Sequence, residues 1–172
     1  MSRAASGLRL REIKAEDWPE VHAFAGLAEV CRYQPWGPNT AAESEEFVAG
    51  AVAAWAEDPQ VRFVYAACLA DEVVGLGELK IRSRRNQHAE IGYVVHPRVW
   101  GRGVATGIGE RLLAMGFALR MHRISATCDP RNEASVAVLR KLGMTYEGRL
   151  RHHMLLRDGW RDSEMFSILD TD

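Results

Sequence analysis

The chain has 172 residues, 47% hydrophobic and 26% charged, with 22 basic against 23 acidic residues and a formal net charge of −1. That balance describes a folded globular chain rather than a disordered one. It also excludes the broad basic field by which nucleic-acid-binding domains hold a phosphate backbone. At this length a single domain over residues 1–172 is expected, with a core large enough to need no disulfide or metal staple. Cys31, Cys68 and Cys128 are widely spaced, so no zinc-ligand cluster is expected and a reducing, cytoplasmic setting is. The N-terminus has no apolar run of leader length. The most apolar stretch, 61–69, is too short for a membrane span and carries Arg62.

Residues 7–13 lie near period-two alternation and predict a first strand. Asp17 is placed to cap a short helix carrying Val21, Phe24 and Leu27. Residues 32–39, RYQPWGPN, hold two prolines and a glycine and predict a loop. Thr40-x-x-Glu43 has the form of a capping box and opens a helix with Val48, Val52 and Trp55 on one face. Three strands follow at 61–69, 73–82 and 88–96, joined by a tight turn at Ala70-Asp71 and by the polar loop SRRNQ. A helix then presents Val104, Ile108, Leu112, Met115 and Leu119. Residues 123–128 form a short strand. Asn132 starts a helix with Val136, Leu139 and Leu142, and Gly143 closes it. The chain ends in a hairpin, 145–156 and 160–169, turning at Asp158-Gly159. This order predicts an α+β domain, a mixed sheet of about seven strands with helices on both faces.

The sharpest local feature is Arg98-Val99-Trp100-Gly101-Arg102-Gly103-Val104-Ala105, between a strand and a helix. Two glycines let backbone N–H groups converge, and the helix N-terminus adds its own free N–H groups and positive dipole end. Arg98 and Arg102 add charge, so the turn suits a pyrophosphate. A plain tight turn would also use these glycines. A P-loop is excluded because no Lys-Ser/Thr pair follows. Gly101-x-Gly103-x-x-x-Gly107 is a near miss to a dinucleotide fingerprint. It follows antiparallel-type strands, and no acidic residue ends the next strand.

Residues 89–105, AEIGYVVHPRVWGRGVA, resemble the acetyl-CoA-binding segment of the GNAT N-acetyltransferase superfamily, whose signature is Arg/Gln-x-x-Gly-x-Gly/Ala. Residues 132–144, NEASVAVLRKLGM, resemble its second segment. The likeness runs from the RYQPWGP loop to the RDGWRDSEMFSIL ending. It is closest to the ribosomal-protein alanine N-terminal acetyltransferases of the Rim type. The resemblance implies a wedge between the fourth and fifth strands that takes acetyl-CoA as co-substrate, without metal.

Carried onto this chain, the backbone of Val94, Val95 and His96 would pair with the pantetheine arm. The amides of Gly101, Arg102, Gly103, Val104 and Ala105 would hold the pyrophosphate, and Arg98 would lie beside it. Asn132 and Ser135 would contact the cofactor arm. Glu90 would serve as base, and Ser135 would protonate the departing thiolate. Many family members use a helix tyrosine for that last role, where this chain has Leu139. Glu90 can equally be a solvated strand carboxylate, and Asn132 and Ser135 can equally be helix caps. Tyr33, Trp36, His153 and Trp160 are the candidate acceptor contacts.

The implied reaction is direct attack by a primary amine, from a protein N-terminus or a small molecule, in a ternary complex. No cysteine falls on the 88–96 strand, which disfavours a thiol intermediate. The alternative is a non-catalytic acyl-CoA-binding sensor or interaction module. No nucleic acid or membrane partner is expected, and a homodimer is the assembly that similar proteins suggest.

Overall fold

The computed structural model describes residues 6–172; residues 1–5, where the expected domain begins, lie outside the described residues. Seven strands form one sheet: β1 (Arg9–Glu12), β2 (Arg62–Leu69), β3 (Glu72–Ser83), β4 (His88–Val95), β5 (Arg123–Cys128), β6 (Thr145–Leu156) and β7 (Gly159–Leu169). Their spatial order is β1-β2-β3-β4-β5-β7-β6. Every neighbouring pair is antiparallel except β4–β5. The parallel pair is connected by α4 (Val104–Ala118), the crossover that parallel strands require.

Helices cover both faces. On one face, α1 (Trp18–Ala25) and α3 (Ala41–Ala53) pack Val21, Phe24 and Val48 against Val64, Ala66 and Leu76 of the sheet. On the other, α4 and α5 (Glu133–Lys141) pack Ile108, Leu112 and Leu139 against Leu79, Ile91, Ile124 and Phe166. The sequence periods account for this. The helical positions spaced three and four apart turn inward, and alternate strand residues serve the two cores.

The local chemistry follows the expected signals in most places. Thr40 Oγ1 accepts from the Glu43 amide at 3.2 Å, while Glu43 accepts from the Thr40 amide at 2.7 Å. Ala70 and Asp71 both adopt positive φ, 47° and 68°, the twist that a two-residue hairpin needs.

Several expectations differ. Trp55 lies past α3 in a 3-10 turn, and Leu119 lies beyond the end of α4 and is exposed. Leu27 lies beyond α1, and a short helix, α2 (Ala28–Cys31), precedes the RYQPWGPN loop. Asp17 does not cap α1 with its side chain, because it sits in helical conformation at the end of a 3-10 turn rather than in the extended N-cap conformation. Its buried carboxylate instead accepts from the Lys14 amide at 2.8 Å and from both Arg11 terminal nitrogens at 2.7 Å, tying β1 to α1.

At the far edge of the sheet, Glu147 of β6 is paired with Arg123 of β5 and accepts from the Ser167 hydroxyl of β7 at 2.7 Å. Arg123, then Ser167, hold its carboxyl down at about 2, against an ordinary 4.5. A carboxyl depressed on folding contributes stability above its unfolded value and loses it as pH falls through the folded one. Glu147→Gln is therefore expected to lower Tm at pH 7 and to flatten the fall of Tm between about pH 4.5 and about pH 2. Thermal melts across that range check both.

Candidate active site

The site begins where a ladder stops. β4 and β5 are paired only through His88–Arg123, Ala89–Ile124 and Glu90–Ser125, whereas β4 stays paired with β3 as far as Val95. From Ile91 on one side and Ala126 on the other the two strands part and leave a slot between them. His88 Nε2 lies 2.8 Å from Ser125 Oγ and latches its closed end.

The backbone lining this slot differs in part from expectation. The His96 amide donates to the Val74 carbonyl at 2.8 Å, which turns His96 toward β3. Strand alternation turns Val94 the same way and points the backbone of Tyr93 and Val95 into the slot. Of Val94, Val95 and His96, only Val95 offers its amide there, and Tyr93 joins it. The Val95 carbonyl is taken by Trp100 Nε1 at 3.0 Å.

The glycine turn stands at the open end. Gly101 and Gly103 adopt φ of +72° and +76°, the left-handed region that side-chain-bearing residues avoid. Gly103 is the N-cap of α4, with no side-chain cap and no acidic residue in the first turn. The amides of Val104 and Ala105 are thus left for an external acceptor. Arg98 is turned away and pairs with Glu72 of β3 at 2.8 Å. The His96 ring accepts from the Arg98 amide at 3.1 Å and packs edge-on against Phe24. His96 therefore shapes the turn with its side chain. Arg102 is exposed and makes no ion pair among the described residues.

Inside the slot, one sheet face presents proton donors. Tyr93 Oη lies 3.1 Å from Ser135 Oγ. Burial pushes the Tyr93 phenol above its ordinary range, with the Ser135 contact acting in the other direction. Asn132 Oδ1 caps α5 by accepting from the Ser135 amide at 3.1 Å, which fixes Ser135 at the slot. Leu139, where a helix tyrosine would stand, is core at 1% exposure.

The phenol comes from β4 instead, a residue that the sequence reasoning missed. The available signal was its alternation with Ala89 and Ile91, which puts a hydroxyl on a covered face where it needs a partner. Cys128 also lines the slot, from β5. Burial, then the charge of Glu164, pushes its thiol up to about 11. A cysteine therefore does line the slot, from β5 rather than from the 88–96 strand, and a thiol raised in this way is a poor nucleophile near neutral pH.

A cavity of about 950 Å³ runs through the slot, and on the opposite sheet face it is lined by Tyr33, Trp36, Glu78, Lys80, Glu90 and His153, among others. Glu90 occupies the closed end of the slot, its Oε2 held by Arg82 Nε at 2.7 Å. His153 Nδ1 lies 3.0 Å from Ser163 Oγ. Trp160 stands apart from this cavity. It is 61% exposed and stacks on His152 at 6.3 Å, beside a smaller pocket at the end of the hairpin. Among the described residues no group of three His, Cys, Asp or Glu side chains is placed to hold a metal. No helix among them is long and apolar enough to cross a membrane.

Residues 7–145 match the family model of the acetyltransferase (GNAT) domain. The chain is 29% identical over 167 residues to the uncharacterized N-acetyltransferase YnaD of Bacillus subtilis (strain 168), covering 96% of this chain and 95% of that one. It is 25% identical to the spermidine N(1)-acetyltransferase of Escherichia coli (strain K12), covering 93% and 84%. The structure of Mycobacterium smegmatis RimJ in complex with CoA-disulfide superposes with a TM-score of 0.86 at 25% identity, over 98% of this chain and 85% of that one.

Proposed function

The chain belongs to the GNAT acetyltransferase family, and from that premise we propose that it transfers an acetyl group from acetyl-CoA to a primary amine by direct attack in a ternary complex. The observation that carries this reading is the slot between β4 and β5. It has a carboxylate, Glu90, on one face and a phenol–hydroxyl pair, Tyr93 and Ser135, on the other. The spermidine N(1)-acetyltransferase among the relatives supports an amine acceptor, and the RimJ complex supports a coenzyme A site. The Rim likeness is one of several, so a protein N-terminus is one acceptor class beside small amines. The free buried thiols fit a cytoplasmic setting.

Acetyl-CoA supplies the reactive thioester. The slot-facing backbone of Tyr93 and Val95 lies along the pantetheine arm, and an amide there polarises the thioester carbonyl, an oxyanion-hole role. The amides of Gly101 and Gly103–Ala105 and the guanidinium of Arg102 hold the pyrophosphate. The acceptor enters through the Tyr33–Trp36 cavity and attacks from the Glu90 side. Three residues of strand, about 10 Å at 3.3 Å each, separate Glu90 from Tyr93, so Glu90 takes the amine proton through water. Tyr93 and Ser135 return a proton to the departing sulfur on the other face, so acid and base do not compete for one position.

The test is twofold: acetyl-CoA is expected to raise Tm, and thiol release is expected only when an amine is added. Binding without thiol release over a broad amine panel would return the non-catalytic sensor. A narrower expectation concerns charge. Arg102→Ala is expected to raise the Kd for acetyl-CoA severalfold, less so at high salt, while Arg98→Ala changes it little because that side chain already serves Glu72. Calorimetric titration at two salt concentrations separates the two.

A further inference from the structure

We propose that Gly92 is a specificity-determining residue for the amine acceptor: its missing side chain leaves the space in which the amine-bearing carbon, with a substituent on it, comes to lie. The proposal rests on the acetyltransferase reading above and concerns the shape of its second substrate.

A glycine inside a strand weakens the strand, so its presence calls for a reason. The other strand glycines have one. Gly75 and Gly77 of β3 are crowded: a Cβ would fall 2.5 Å from the Val94 carbonyl oxygen at the first and 2.7 Å from Ile108 Cγ2 at the second. Gly148 of β6 and Gly159 of β7 adopt φ of +140° and +118°. Gly92 has neither reason. It lies within β4 without a positive φ, and a Cβ built on it would meet no atom within 4 Å. Neither the backbone nor the packing of this chain requires glycine there.

Its place in the sheet supplies the missing reason. Gly92 is exposed and lies between Glu90 and Val94 on the cavity face of β4, across the ladder from Glu78. The Glu78 carboxylate is turned toward β2, where Arg62 donates to it at 3.0 and 3.2 Å, so it does not fill the gap. Two residues of strand, about 7 Å, separate Glu90 from Gly92. The proposed base stands at one end of that interval. The backbone of Tyr93, proposed to lie along the cofactor arm, stands just past the other. An amine that attacks the thioester from the Glu90 side must cross the space over Gly92, with its own carbon against the bare strand. A methyl group on residue 92 would stand in that path.

Two conjugates serve as probes, with the CoA sulfur joined through a CH2–CO bridge to the nitrogen of glycinamide or of L-valinamide. Each carries cofactor and acceptor in one molecule, so its Kd reads the gap whether or not an amine is turned over. Wild type is expected to bind the two with similar Kd. Gly92→Val is expected to weaken the valinamide conjugate by about tenfold or more, the scale of methylene-sized discrimination in a pocket. Gly92→Ala should weaken it less, and the glycinamide conjugate should lose less in both variants. The Kd for acetyl-CoA stays unchanged, and Gly92→Ala melts no lower than wild type, because alanine is the better strand residue. With the free amines as acceptors, kcat/KM should fall in the same order.

If wild type already rejects the valinamide conjugate, or if the variants weaken both conjugates equally or neither, the proposal falls, while thiol release with any amine keeps the acetyltransferase reading. If the conjugates discriminate as expected and no amine releases thiol, the gap is an acceptor-side site and the transfer reading falls instead.

Discussion

Replacing Glu90 by Gln is expected to lower kcat at pH 7 by about 10²-fold, the lower end for loss of a general base, and to leave the Kd for acetyl-CoA within about twofold. The asymmetry follows from position. Glu90 sits at the closed end of the slot on the face of Tyr33 and Trp36, while the Gly101–Gly103 turn proposed to hold the pyrophosphate lies beyond the other end of β4. The deficit should shrink as pH rises past about 8, where an α-amino acceptor is already neutral and needs no base. A pH–rate profile that falls in parallel with wild type at every pH would remove Glu90 from proton transfer. Tyr93→Phe gives the contrasting result. A thiolate is a good leaving group and Ser135 Oγ remains in place, so only a severalfold fall in kcat is expected, with no shift of the pH profile.

The order of elements was legible in the sequence because each has its own punctuation. The Thr40–Glu43 box, the Ala70-Asp71 turn, the Gly103 start of α4 and the final hairpin, which turns at Arg157-Asp158, one residue before the expected Asp158-Gly159, all act within a few residues of chain. The site was legible only where it too is local. The turn at Gly101–Gly103 is one strand end and one helix start, and Asn132 caps the helix that holds Ser135.

What stayed hidden depends on distant pairings. Tyr93 meets Ser135 across 42 positions of chain, and Cys128 enters the slot only because the β4–β5 ladder ends at Glu90–Ser125. No periodicity records where a ladder ends. Arg98 and Arg102 look alike in the sequence, yet Glu72, on β3, claims one of them. The two faces of β4 likewise follow from parity, but setting Tyr93 beside Ser135 on one and Glu90 in the cavity on the other requires knowing which helices cover which side.

The dependence of the slot on backbone spacing predicts that Gly75→Ala will lower both stability and activity. Gly75 lies opposite Val95 in the β3–β4 ladder. A Cβ there would fall 2.5 Å from the Val94 carbonyl oxygen, 2.9 Å from Val95 Cγ1 and 3.1 Å from Val95 Cα. Two of those atoms are backbone, so no rotamer relieves the contact and the strands must part. Overpacking of this kind costs about 1–3 kcal/mol, a clear fall in Tm.

The displaced segment is also the one that offers the Val95 amide to the slot and leads into the His96 turn. A shift near 1 Å in a reacting geometry costs about 10²-fold, so kcat/KM for acetyl-CoA should fall on that scale. Gly50→Ala, in α3 with nothing within 4 Å of the new methyl, is the matched control. It should raise stability by about 0.5–1 kcal/mol through helix propensity and leave kcat/KM unchanged. If Gly75→Ala melts lower but keeps full kcat/KM, then β4 tolerates displacement at Val95, and the thioester carbonyl is not polarised by that amide.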